Sequence, residues 1–140
     1  MSVLNFNGYT VKKMTYERNP EFKKSKTQFK MSPKLAANQH IDGNRIQIEL
    51  NIRVGSKTET QLPFSAMVEI EGSFDYHPDE DKTSKGITTF VRDNAVAILY
   101  PYARALIAQL TLSSNEFPGY NLPTINVPEA LKLSDLAAKS

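Results

Sequence analysis

From Ile46 to Val54 the chain alternates without a break: Ile46, Ile48, Leu50, Ile52 and Val54 are apolar, and Gln47, Glu49, Asn51 and Arg53 between them are polar. A period of two sustained over this length predicts a strand with one face on a core and one in water, as in an antiparallel sheet. The next run sets Leu62, Phe64, Ala66, Val68 and Ile70 on one face against Ser65, Met67, Glu69 and Glu71 on the other. Gly55 to Glu59 closes a hairpin between the two runs. Gly72, just before Phe74 and Tyr76, predicts a bulge or a close backbone approach. Tyr9 to Tyr16 alternates less cleanly and predicts a first, edge strand, preceded by Gly8 and ended by Asn19-Pro20. Asp42-Gly43 marks a turn ahead of the clean strand.

The period then changes to that of a helix, from about Ile87 or Asp93, with Asp93 placed to cap a first turn. From Val96 to Leu112 nearly every residue is apolar or small, including Val96, Ala97, Ile98, Leu99, Tyr100, Tyr102, Ala103, Ala105, Leu106, Ile107, Ala108, Leu110 and Leu112. A surface helix carries one apolar stripe roughly 100° wide, so this one needs cover on more sides than a single sheet can supply. Pro101 lies inside the pattern, which predicts one kinked helix or two abutting helices, ending at Ser113-Ser114-Asn115. Pro118-Gly119 and Pro123 hold Phe117, Tyr120 and Leu122 in an extended segment. A short last helix is expected from Pro128, with Leu131, Leu133 and Leu136 as its apolar side. Three or four strands followed by helices is an α+β order.

At 140 residues the chain makes one domain, residues 1–140, with residues 1–7 and 137–140 expected to be loose termini. A core of that size needs neither metal nor disulfide. With no cysteine, disulfide frameworks, thiolate metal sites and cysteine nucleophiles are excluded. The start, MSVLNFNGY, lacks the form of a signal peptide, and no run is expected to span a membrane; the expectation is a soluble, cytoplasmic protein. A net charge of +2 does not by itself imply a polyanionic partner. Lys12, Lys13, Arg18, Lys23, Lys24, Lys26, Lys30 and Lys34 do crowd the first quarter. They read either as a basic arm that binds nucleic acid by counterion release or, more plainly, as a solvated face that guards a sheet edge.

Catalytic patterns are poor. His40 and His77 sit beside turn residues without the partner that a zinc helix supplies. Asp79, Glu80 and Asp81 lack the ligand spacing of a calcium loop. Glu69 and Glu71 share a strand face, but nothing around them suggests the perturbed surroundings of an acid–base pair. No phosphate-binding loop or nucleophile elbow occurs. The expectation is a protein that is not an enzyme and that uses no cofactor and no metal.

Ile98-Leu99-Tyr100-Pro101-Tyr102-Ala103-Arg104, continued by Phe117-Pro118-Gly119-Tyr120-Asn121-Leu122-Pro123-Thr124-Ile125-Asn126, resembles the SecB family of bacterial export chaperones. That family shows an I-L-F-P-Y-A-R run followed by F-P-x-x-N-L-x-P-V-N; this chain is one residue shorter between Leu122 and Asn126. Met14 to Asn19 and Glu69-Ile70-Glu71-Gly72-Ser73-Phe74 are similar to two of the family's strands, so the resemblance spans roughly Gly8 to Leu131.

The resemblance implies a four-stranded antiparallel sheet with a long kinked helix packed on it, assembled as a homotetramer, a dimer of dimers. It implies an ATP-independent holdase for unfolded or precursor polypeptides, serving protein export and translocation through the SecA motor. Candidate groove residues are Phe22, Phe29, Tyr76, Phe117, Tyr120, Leu122 and Leu131, chosen because they lie in loops or sparse segments. Candidate motor contacts are Glu17, Glu69 and Glu71, and candidate interface residues are Ile98, Tyr102, Ala105, Leu106 and Gln109. Family members are usually acidic on the flat sheet face; Lys13 stands here where they tend to carry an aspartate. A SecB-like chaperone dedicated to another client, such as an antitoxin, and a basic nucleic-acid-binding domain are the other readings. No membrane insertion is expected.

Overall fold

The computed structural model describes residues 4–23, 31–78, 89–123 and 125–131, with backbone alone for residues 89–91. Strands β1 (Leu4–Arg18), β2 (Lys34–Asp42), β3 (Arg45–Gly55) and β4 (Phe64–Tyr76) form one sheet in the order β1-β4-β3-β2, followed by helix α1 (Thr89–Leu112) and a short helix, α2, over residues 127–131. All neighbouring strands run antiparallel. The architecture is the α+β one expected.

The alternation seen in the sequence is what builds the core. Ile46 pairs with Phe74, Leu50 with Ile70 and Ile52 with Val68, so the apolar positions of β3 and β4 share one face. Ile46, Ile48, Leu50, Ile52, Val54, Phe64, Ala66, Val68, Ile70 and Phe74 are each no more than 1% exposed. At about 25 cal/mol per Å² of apolar surface, this shared face is the main favourable term in the fold. The helix closes it with Ala95, Val96, Leu99, Ala103 and Ile107, all 0% exposed, at the spacing of one helical face. Leu99 sits directly over Gly72, where a Cβ would lie 2.5 Å from Leu99 Cδ2. Gly72 therefore serves the close approach foreseen, and the bulge is across from it in β1, where pairing slips between Phe6 and Tyr9.

Several boundaries differ from expectation. β1 begins at Leu4, so residues 4–7 are not a loose terminus: Leu4 pairs with Tyr76 and is 9% exposed. Gly8, at φ 113°, takes up the irregularity inside the strand and does not precede it. β2 has no clean alternation because only β3 pairs with it, leaving Ile41 exposed. Asp93 lies inside α1, four residues past its start, where its carboxylate takes the Arg92 guanidinium at 3.1 Å. α1 runs unbroken through Pro101, the single helix of the two alternatives expected. Ala97 and Pro101 are both exposed, so the carbonyl that loses its helical bond to the proline can bond water.

By length and composition alone Arg92–Leu112 is apolar enough to cross a membrane, against the expectation that no run is. Its inner side is packed on the sheet, the arrangement of a core helix. The short helix α2 is capped by Asn126, whose Oδ1 accepts the Glu129 N–H at 3.1 Å. Lys24, Lys26, Phe29, Lys30, Asp79, Glu80, Asp81, Leu133, Leu136 and the expected loose end 137–140 lie outside the described residues.

Candidate functional site

Two aromatic clusters stand at opposite ends of β1, on the helix side of the sheet. In the first, Phe6 packs on Phe74 at 5.3 Å and on Tyr102 at 5.5 Å, and Tyr9 packs on Tyr102 at 4.9 Å. Its outer rim is open: Tyr9 is 37% exposed and Tyr102 40%, with Val11 at 40% and Met14 at 37% farther along β1. In the second, Tyr16 packs on Phe64 at 5.3 Å, Phe64 on Phe117 at 5.8 Å, and Phe22 meets Phe117 edge-on at 6.1 Å.

The second cluster is held by polar bonds from every segment that reaches it. Asn19, 2% exposed, donates from Nδ2 to the carbonyls of Glu59 at 2.8 Å and Leu62 at 2.7 Å. Its Oδ1 accepts the Glu21 N–H at 2.9 Å, so the turn carrying Phe22 is fixed to the β3–β4 connection. Arg18 grips Glu116 through two parallel bonds of 3.0 and 2.8 Å, the strongest geometry a carboxylate offers a guanidinium. Thr111 accepts the Tyr120 N–H at 2.7 Å and donates to the Ile107 carbonyl at 2.9 Å. The Tyr120 hydroxyl donates to the Met31 carbonyl at 2.7 Å, and the Tyr100 hydroxyl to the Pro123 carbonyl at 2.6 Å. Burial raises both phenols above the usual 10.0; at Tyr100 the Arg104 charge partly opposes that rise and Tyr120 adds to it. Both therefore remain neutral donors at neutral pH.

Phe22 and Phe117 come together from distant parts of the chain, while Tyr120 is fastened to Thr111 and Met31; all three are half-buried, and Arg18, Glu21, Lys23 and Glu116 in the same segments are exposed. Tyr76, Leu122 and Leu131, expected beside them, belong to the core, with 4%, 0% and 1% exposure. Their segments looked sparse, but Tyr76 is the last residue of β4 and the other two seal the sheet from above, so none lines an open groove. Phe29 lies outside the described residues. Ile98, Tyr102, Ala105, Leu106 and Gln109 share the outward side of α1, where Tyr102, Ala105 and Gln109 are exposed and Ile98 and Leu106 half-buried.

The sequence pattern alone does not disclose Tyr9, Val11 and Met14 as partners of that helix side, because the register break between Val11 and Lys13 hides their common face. Asn19 as a fastening was also missed; an asparagine before a proline at a strand end was the available signal. On the far face of the sheet, Glu17 pairs with Lys57 at 3.3 Å, Glu71 with Lys12 at 3.5 Å, and Asp75 with Arg45 at 3.6 Å. Glu69 stands opposite Lys13 in register. Among the described residues no group of three or more His, Asp and Glu gathers as metal ligands.

A family model described as preprotein translocase subunit SecB matches residues 3–132. The chain belongs to the SecB family. An uncharacterized protein of Methanocaldococcus jannaschii is 33% identical to this SecB family member over 128 residues, 89% of this chain and 79% of that protein. Among solved structures, the Mycobacterium tuberculosis SecB-like chaperone in complex with a ChAD peptide from the HigA1 antitoxin superposes with a TM-score of 0.68 at 16% identity, covering 88% of this chain and 91% of that one. At that identity the match establishes the SecB fold.

Proposed function

We propose that this SecB family chain is a holdase that binds non-native polypeptides without ATP, using the surface of Phe22, Phe117 and Tyr120. The observation that carries the reading is the half-burial of those three rings: Phe22 meets Phe117 edge-on, and Tyr120 follows in the same fastened segment as Phe117. Phe117 packs on the core ring of Phe64, the segments of all three are pinned by polar bonds, and each ring keeps a solvent-facing side with exposed charged residues in the same segments. Unfolded chains share no sequence but all expose apolar side chains, and a polar-rimmed aromatic patch suits such a ligand. The open cluster has a different role. Tyr102, Ile98, Ala105, Leu106 and Gln109 of α1, joined by Tyr9, Val11 and Met14, form the face that a second copy covers in a dimer of dimers.

The family's description names a preprotein translocase subunit, and on an export reading Glu17, Glu69 and Glu71 are the contacts proposed for the SecA motor. One observation favours a client outside export, such as the antitoxin whose peptide the Mycobacterium tuberculosis chaperone holds. The carboxylates of Glu17, Glu71 and Asp75 already face cations of the same sheet, which leaves little net negative charge for a basic partner. Calorimetry with SecA is expected to give no binding heat on this reading, whereas binding abolished by replacing Glu69 and Glu71 with lysine would restore the export assignment.

The holdase itself is tested by light scattering of a denatured model protein diluted into the chain without ATP. Suppression of aggregation, unchanged by salt and weakened by Tyr120→Ser, is expected. Failure to suppress, together with salt-dependent retention on a polyanion, would transfer the assignment to the nucleic-acid reading.

A further inference from the structure

Two pairs of like charges stand on the side of the sheet away from α1. Lys34 of β2 lies opposite Arg53 of β3, and Glu49 of β3 opposite Glu71 of β4. Residues opposite one another in a ladder share a face, and like charges placed so repel. Lys12 relieves one member of the acidic pair, at 3.5 Å from Glu71. Among the described residues Lys34, Arg53 and Glu49 form no ion pair. Elsewhere on this face Glu17 meets Lys57 and Asp75 meets Arg45, so the two like-charge pairs are its main unbalanced charges. Lys34 and Arg53 are exposed and Glu49 is half-buried.

The placement of the two pairs is regular. Arg53 and Glu49 lie four residues apart on the same face of β3, roughly 14 Å at about 3.4 Å per residue. Midway between them lies Asn51, in a row with Ala36, Glu69 and Lys13 that carries no net charge. Consider a two-fold axis lying between two facing sheets and running across the strands at Asn51. It sets Arg53 of each copy over Glu49 of the other, with Lys34 and Glu71 flanking those positions and adding to the same attraction. Such a contact is isologous, because residue i meets j and j meets i. Sheets stacked about 10 Å apart are within reach of facing arginine and glutamate side chains.

We propose that the far face of the sheet is a second contact between copies of this chain, separate from the outward side of α1. Each copy offers its cationic pair to the acidic pair of the other, which turns two local repulsions into two attractions. α1 lies on the opposite side of the sheet, so whatever unit α1 assembles can associate further through its sheets. Exposed ion pairs are weak and screened by salt; the association is therefore reversible and confined to low ionic strength. It covers Glu69 and Glu71, so a basic partner docking on that face competes with it.

Analytical ultracentrifugation of the full chain tests it. At about 0.5 M salt the mass is expected to be that of the unit α1 assembles, and at about 0.02 M to rise with protein concentration in steps of that unit. Arg53→Glu and Glu49→Arg are each expected to abolish the rise, weakening association at least about tenfold. Thermal stability should hold or improve in both, because each removes a like-charge pair within the sheet. An equal mixture of the two variants is expected to restore the rise, since the mixed pair again sets opposite charges across both halves of the contact. A mass that does not change with salt overturns the proposal. A low-salt rise that survives either single variant assigns the association to another surface and overturns it as well. Single variants that lose the rise without recovering it in the mixture leave the charges to a partner of another kind, such as an acidic protein, and also overturn it.

Discussion

The two aromatic clusters are built from similar rings on the same strand and differ in how they are fastened. Around Tyr102 the contacts run ring to ring and the outer side is left open, with Tyr9 and Tyr102 more than a third exposed. Around Phe117 the neighbouring segments are bonded down by Asn19 and by the Arg18–Glu116 fork, and the stretch that follows by the hydroxyls of Tyr120 and Tyr100. On the proposed reading the open surface gains its rigidity when another copy covers it, whereas a site for changing, disordered ligands benefits from being shaped beforehand, since ordering at the moment of binding costs affinity. Fastening, more than composition, separates the two ends.

The largest effects test what both ends share. Phe64→Ala and Phe74→Ala each remove a fully buried ring and are expected to lower stability by about 3–5 kcal/mol, read from urea unfolding; a much smaller loss in either would show that its cluster does not rest on the core. Tyr102→Asp places a charge on the open cluster and is expected to split the oligomer in gel filtration, at several kcal/mol of assembly free energy. The monomer's own unfolding midpoint should hardly move, because the residue is 40% exposed.

Smaller changes probe the fastened end. Tyr120→Phe keeps the ring and removes the bond to Met31, an expected loss of about 1 kcal/mol with most client affinity retained; Tyr120→Ser loses the ring and should lose affinity with it. The pH dependence has a definite sign. The phenols of Tyr100 and Tyr120 titrate above 10.0 in the folded chain, so their contribution is complete below the unfolded value and is lost as pH rises through the folded ones. Stability curves should therefore show an alkaline decline that weakens in Tyr100→Phe. Arg18→Gln breaks an exposed pair and should cost no more than about 1 kcal/mol, less in high salt; a larger loss would make the fork a principal fastening of the site.

Much of this fold can be read along the chain because β3, β4 and α1 carry their burial as local period. Ile46 to Val54 alternates because one side of the strand is sealed, and Val96 to Leu112 is apolar on one side for the sheet and on the other for a surface still open. β2 escapes that logic: as an edge it buries little beyond Leu35, so no period is imposed on it. The SecB resemblance located the segment of Phe117 and Tyr120, but sparse apolar residues do not reveal which way they face. Leu122 and Leu131 turn into the core while Phe117 and Tyr120 stop at its margin, and that difference depends on Thr111, Met31 and Arg18, which come from other segments of the chain.

The division of labour between the two ends is tested most directly by native mass spectrometry of the parent, Tyr102→Asp and Phe117→Ser, each with a saturating unfolded peptide. Tyr102→Asp is predicted to lower the oligomer mass, and Phe117→Ser to keep the parent's mass while losing bound peptide. Peptide lost from Tyr102→Asp with its mass intact, or an assembly broken by Phe117→Ser with peptide still bound, would contradict that division.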